Sequence, residues 1–162
     1  DVDRRIQSDL DNREPGYSGI GTTLSGNALQ LAGMRAVLEN ILTDDVYAAA
    51  MPLAESLHDG LRSLIAHHAL PWQVVRVGLR AEIVMASTLP RNGTEALLHA
   101  HGNVEHALHL YCLNRGVVVT PFHNMMLVCP ATRAEHVRQL LDVMDAGMAE
   151  LSSTPPVRAY TA

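Results

Sequence analysis

From Ser25 to Leu42, apolar residues fall at Leu29, Leu31, Ala32, Met34, Ala36, Val37, Leu38, Ile41 and Leu42. They cover most of the circumference of a 3.6-residue helix rather than one stripe. The pattern predicts a helix buried on more than one face, with Ser25 or Asn27 as its N-cap. Asp44 and Asp45 are placed to cap a second helix that carries Val46, Tyr47, Ala50, Met51, Leu53, Ala54, Leu57, Leu61, Leu64 and Ile65 at helical spacing and runs to about His67. A kink is expected at Pro52 within it. After Pro71 the period shortens towards two. Trp72, Val74, Val75 and Val77, then residues 82–86 beyond Gly78, predict two antiparallel strands around a glycine turn. Residues 88–94 have loop chemistry, and 95–113 read as one helix ended by Asn114 and Gly116. A third strand is expected over 117–120 and a fourth over 125–128, with residues 121–124 as the break between them. Thr132 then caps a last helix whose apolar face holds Val137, Leu140, Leu141, Val143, Met144 and Met148.

The ends differ from this. Arg4, Arg5, Asp9, Asp11, Asn12, Arg13 and Glu14, followed by Pro15, Gly16 and Gly19, predict a solvated loop over 1–20, and the tail 152–162 is expected to fray. The order helix, helix, β-β, helix, β-β, helix is that of an α+β chain, a helical arm followed by a small domain with an antiparallel sheet and helices. The corresponding divisions are 1–20, 21–68, 69–151 and 152–162.

Composition narrows the partners. Seventeen acids and twelve bases in 162 residues give a net charge of −5, which disfavours nucleic acid and anionic membranes because both are held by basic clusters. No apolar run reaches the length of a membrane span and no signal-peptide pattern is present, so the expected setting is cytoplasmic. Cys112 and Cys129 lie outside any zinc-ligand spacing and are expected to be buried thiols. All twelve bases are arginine. Any step that needs a lysine amine is excluded for this chain. Its start at Asp1 with a charged stretch suggests part of a longer protein.

Three segments carry candidate chemistry. Residues 19–27 (Gly-Ile-Gly-Thr-Thr-Leu-Ser-Gly-Asn) bring glycines, hydroxyls and amides to a helix start, which suits an anion such as phosphate; ordinary helix capping explains the same residues. His99, His101, His106 and His109 include only one pair at ligand spacing, and no metal is expected; a solvated histidine face accounts for them. His67 and His68 are read as favourable charges at a helix end. Phe122, His123 and Asn124 interrupt the last strand pair in a loop that either binds substrate or shapes the turn. No Ser-His-Asp or Cys-His arrangement is present, so nucleophilic hydrolysis is not supported and no catalytic residue is assigned.

Gly21-Thr22-Thr23-Leu24-Ser25-Gly26-Asn27-Ala28, opening a long apolar helix, resembles the "GTLSGNP" segment of class III, fold type I pyridoxal-phosphate enzymes. The similarity is greatest to the glutamate-1-semialdehyde aminomutase branch, which also holds β-amino-acid aminotransferases. Leu113-Asn114-Arg115-Gly116-Val117-Val118-Val119-Thr120-Pro121 resembles the "L(x)(x)GV(x)(x)(x)P" strand of that branch, and order and spacing agree from about Gly16 to Leu151. The resemblance implies the C-terminal portion of such an enzyme, with the small-domain fold derived above. It implies that Gly21, Thr22 and Thr23 contact the phosphate of a pyridoxal phosphate held by the second subunit of a homodimer. It further implies an N-terminal large domain carrying the Schiff-base lysine, so this chain alone should be inactive.

The "FEAGF"-like run of the aminomutases is replaced here by His123-Asn124-Met125-Met126-Leu127. The expected reaction is therefore amino-group transfer between a small-molecule amino acid, aromatic or β-amino, and a keto acid. Phe122, His123 and Asn124 would supply substrate contacts, and Arg80 or Arg115 is a candidate for a carboxylate. An aminomutase fragment, or a non-catalytic α+β domain binding a phosphorylated ligand or partner, are the alternatives.

Overall fold

The computed structural model describes residues 2–11, 26–98 and 102–153. Its chain divides into two compact units, Asp1–Thr43 and Asp44–Ala162.

In the first unit, Val2–Asp11 form the helix α1, where a loop was expected. Val2, Ile6 and Leu10 recur every fourth residue and Gln7 Nε2 donates to Asp11 Oδ1 at 2.8 Å. These local terms favour a helix, and the density of charges concealed them. Helix α2 spans Ala28–Asn40. Its start is set locally: Asn27 Oδ1 accepts from Gln30 N at 3.0 Å, and Gln30 Oε1 accepts from Gly26 N at 2.8 Å, a reciprocal cap of the capping-box kind. None of its residues is buried, and Leu29 is 83% exposed. The expectation of burial on several faces is thus not met in this chain. Periodicity locates an apolar face without supplying what covers it.

The second unit is built on α3, Asp44–His67. Ala50, Ala54, Leu57, Leu61 and Ile65 form its buried stripe, while Pro52, which cannot donate a backbone hydrogen bond, lies on the exposed side. The helix closes with Ala69 N donating to Ala66 O and Leu70 N to Ile65 O, around an Ala69 at φ 51°, the pattern of a Schellman end. Strands β1, Gln73–Val77, and β2, Arg80–Val84, pair antiparallel with Val77 opposite Arg80. Gly78 takes the turn at φ 56°, the left-handed region that such a two-residue hairpin demands. The second strand thus starts and ends two residues earlier than its alternation suggested, and Met85 and Ala86 are buried just beyond it.

Between the sheet and the last helix the expectations shift more. Where a single helix over 95–113 is expected, the described residues form α4 at Gly93–Leu98 and α5 at Gly102–Leu113; residues 99–101 lie outside the described residues. Residues 117–120 join no strand ladder among the described residues, although Val117 and Val119 are buried and Val118 exposed. Alternating burial arises in any extended segment laid on a core, paired or not. The third strand, β3, is only Met126–Leu127, antiparallel to Arg80 and Ala81, giving the order β1-β2-β3. Helix α6 runs Ala134–Ser153. Thr132 does not cap it as expected: its hydroxyl accepts from Cys129 N at 2.9 Å, and His136 Nδ1 accepts from Arg133 N instead.

The core lies between one face of the sheet and α3, α5 and α6, where Leu61, Leu108, Met144 and Met148 are fully buried. Arg76 reaches across to α3, donating to Met51 Sδ at 3.1 Å. Helix α3 packs tightly against α6 at Gly60, where a Cβ would stand 2.5 Å from Leu141 Cδ1.

The two thiols differ, contrary to the expectation that both are buried. Cys112 is buried and desolvation pushes its thiol above the ordinary range; Cys129 is exposed, and the Thr132 hydroxyl, helped by the Ala131 amide, lowers its thiol. Iodoacetamide near neutral pH should label Cys129 and spare Cys112, as read by peptide mass spectrometry. Thr132→Val should move the midpoint of the labelling pH profile upward; an unmoved midpoint would remove the role assigned to the hydroxyl.

Candidate functional site

The sheet face opposite the core opens on a cleft of about 560 Å³. Alternation along the hairpin puts Val75, Glu82 and Val84 on this side, since Val75 and Glu82 are direct partners in the ladder. Leu89, Pro90 and Leu97 supply apolar wall from the loop after β2 and from α4, while Glu105 of α5 and His123 complete the rim. A second cavity, about 260 Å³ and lined by Leu57, Val117, Val128, His136 and Leu140 among others, carries a single titratable side chain. The larger cleft has an apolar wall with convergent charged groups, the usual make-up of a small-molecule site.

His123 is fixed from two directions. Its Nδ1 lies 3.2 Å from Glu82 Oε1, and its backbone N–H donates to Glu105 Oε2 at 3.2 Å. Glu82 is held in turn by Arg80, whose Nη2 donates to Oε2 at 2.6 Å. Arg80, Glu82 and His123 thus form a chain of polar contacts, of which Glu82 and His123 line the cleft. His123 and Asn124 both have positive φ, 57° and 40°, a conformation that Asn and His tolerate better than most residues but that still needs support. Asn124 provides it: fully buried, its Nδ2 donates to Glu105 O at 2.9 Å and Thr120 O at 3.3 Å, and Oδ1 has no hydrogen-bond partner among the described residues. Thr120 ties the same loop, its hydroxyl donating to Phe122 O at 2.5 Å and accepting from Met125 N at 2.8 Å.

The residues expected from sequence are therefore distributed unequally. His123 is on the cleft; Phe122 is 54% exposed with its ring edge-on to that of His123; Asn124 lies beneath both. Arg80 is engaged by Glu82, and Arg115 stacks on the Tyr111 ring at 3.5 Å, 3.7 Å from Glu150. Glu82 and Glu105 were not anticipated. The signal available for Glu82 was one acid inside an otherwise apolar strand, Ala81-Glu82-Ile83-Val84. His109 is engaged through Nδ1 with Val119 O at 2.8 Å. His99, His101, Gly21, Thr22 and Thr23 lie outside the described residues.

A three-stranded antiparallel sheet with helices on one face and a cleft on the other is an α+β unit of the kind found as the small domain of pyridoxal-phosphate aminotransferases. The comparisons agree with the motifs: over nearly its whole length the chain resembles part of the class III pyridoxal-phosphate enzymes in their glutamate-1-semialdehyde aminomutase branch. It is 45% identical to a glutamate-1-semialdehyde aminomutase from Pseudomonas aeruginosa PAO1, solved once in complex with PMP. The match covers 92% of this chain and 34% of that one at a TM-score of 0.73. A β-phenylalanine aminotransferase from Variovorax paradoxus shares the fold at 18% identity, covering 90% of this chain and 33% of that one, with a TM-score of 0.65. An omega-transaminase from Sphaerobacter thermophilus does so at 18% identity over 82% of this chain and 30% of that one, at 0.60. The chain spans about a third of the length of these enzymes. No protein-family model and no curated protein sequence matches it.

The cofactor of such enzymes is anchored through its aldehyde to a lysine amine. With every base an arginine, this chain has no side chain for that end of the group. Its residues do not by themselves form a pyridoxal-phosphate site. Among the described residues, no helix is long and apolar enough to cross a membrane.

Proposed function

We propose that this chain is the small-domain part of a pyridoxal-phosphate-dependent aminotransferase that moves an amino group between an amino acid, aromatic or β-amino, and a keto acid. The observation that carries the reading is the 45% identity to an aminomutase of that cofactor class across 92% of the chain. In this proposal a large domain outside the chain brings the Schiff-base lysine and residues 1–20 adjoin it. Residues 21–68 hold the phosphate contact and the interdomain helices, and 69–151 form the small domain. Gly21, Thr22 and Thr23 donate to the cofactor phosphate of the second subunit of a homodimer, as hydroxyl and amide donors before a helix suit a dianion. The setting is the cytoplasm.

The substrate contacts fall to the loop over β2. Phe122 offers an exposed apolar ring, His123 a ring nitrogen 3.2 Å from Glu82 Oε1, and Asn124 holds the loop from below. The apolar wall suits a substrate side chain better than a second carboxylate, and Glu82 and Glu105 add negative charge there. The aminomutase reading is favoured by one specific fact, the name borne by the relative at 45% identity. A test assays the chain assembled with a lysine-bearing large domain, offering β-phenylalanine with a keto-acid acceptor in one arm and glutamate-1-semialdehyde in the other. Turnover in the first arm alone supports the aminotransferase, turnover in the second alone the aminomutase, and a visible cofactor band should need the lysine-bearing polypeptide. Thr23→Ala should weaken cofactor retention in that assembly about tenfold, as for loss of a charge-assisted hydrogen bond; unchanged retention would remove Thr23 from the phosphate contact.

A further inference from the structure

Away from the cleft, the C-terminal end of α3 meets α6 at three potential ligands. His67, His68 and Asp145 place one donor atom each within 4.8 Å of one another. His68 Nε2 is 2.7 Å from Asp145 Oδ1, and the two imidazoles meet edge to face at 4.8 Å. We propose that this cluster is a binding site for a divalent transition-metal ion of the Zn²⁺ or Ni²⁺ type, bridging α3 and α6.

The donor set selects the cation class. Two imidazoles and a carboxylate suit borderline ions such as Zn²⁺ and Ni²⁺, whereas Mg²⁺ and Ca²⁺ call for oxygen ligands throughout. Around a tetrahedral ion with bonds of about 2.0–2.2 Å, ligand atoms stand roughly 3.4 Å apart. The 2.7 Å pair must open and the widest pair close by about an ångström. The backbone that carries the histidines is held by the Ala69 and Leu70 hydrogen bonds that end α3. Two further features favour a cation here: the carbonyl end of α3 carries partial negative charge, and His67 is exposed while His68 and Asp145 are half-buried, so the site is reachable yet partly dry. Three protein ligands leave one position for water. None of the three residues lines the cleft, so the site stands whether or not the aminotransferase reading holds. Bound metal would clamp two core helices together and raise the melting temperature, because the unfolded chain does not hold the three groups together.

The test uses the full 162-residue chain, freed of metal with a chelator and titrated with zinc chloride by calorimetry, with melting followed in parallel. One tight site with a micromolar dissociation constant and a higher Tm is expected, and magnesium chloride should reproduce neither. Asp145→Asn and His67→Ala should each weaken the tight site at least tenfold, while His106→Ala leaves it unchanged. His67→Ala removes an exposed ring, so it reads the site even if Asp145→Asn disturbs the α3–α6 contact. Zinc binding that survives both variants, or no binding up to about 1 mM, overturns the proposal; in either case the His68–Asp145 pair is an interhelical hydrogen bond only.

Discussion

Asn124→Asp is expected to destabilise the chain by about 3 kcal/mol or more, the usual cost of leaving a buried charge uncompensated. The substitution keeps the size of the side chain and removes its two donated hydrogens. Asn124 Nδ2 faces the carbonyls of Glu105 and Thr120, so a carboxylate there would set acceptors against acceptors in a position with no exposure. Asn124→Gly, which suits the φ of 40° but also loses the donors, should cost less, about 1–2 kcal/mol. Thermal unfolding followed by circular dichroism measures both. Equal midpoints for Asn124→Asp and wild type would mean that the loop under His123 is not held by this amide.

Leu61→Ala should cost about 3 kcal/mol, within the usual range for a buried leucine truncated to alanine. Leu61 is fully buried on α3, in the cluster shared with Met144, Ile83 and Leu108, so the lost contacts cannot be replaced by water and the surrounding elements would have to move to fill the space. Set against a total stability of about 5–15 kcal/mol for ordinary domains, this is a large fraction. Urea unfolding should show a lower midpoint with an unchanged slope. A loss under about 1 kcal/mol would mean that the core collapses around the gap.

What the sequence revealed about the fold follows from the range of each signal. The long helices α3 and α6 were legible because each repeats its apolar stripe over several turns, and the hairpin because Gly78 separates two β-rich runs. Helix α1 was hidden by its charges. The candidate site was legible where a loop announced itself, at Phe122, His123 and Asn124. Glu82 could be placed on the rim only once the hairpin register was known. Glu105 and His123 are 18 positions apart and meet through a backbone amide, which no side-chain pattern records. His68 and Asp145 meet through their side chains, but 77 positions apart, beyond the range of any local spacing. The family resemblance rested on a motif at 21–28 and a strand-like run at 113–121; the second joins no strand ladder among the described residues, yet the wider likeness extends over 92% of the chain.

The close packing of Gly60 against Leu141 should tie the two positions together in descent as well as in space. A methyl group added at 60 would collide with the branch of the leucine at 141. Each position therefore restricts what selection can accept at the other: an alanine at 60 becomes tolerable where the residue at 141 has already become shorter. The order in which such substitutions arise would matter, since one path passes through a clash and the other through a small void. In any set of descendants of this fold, positions 60 and 141 should vary together rather than separately.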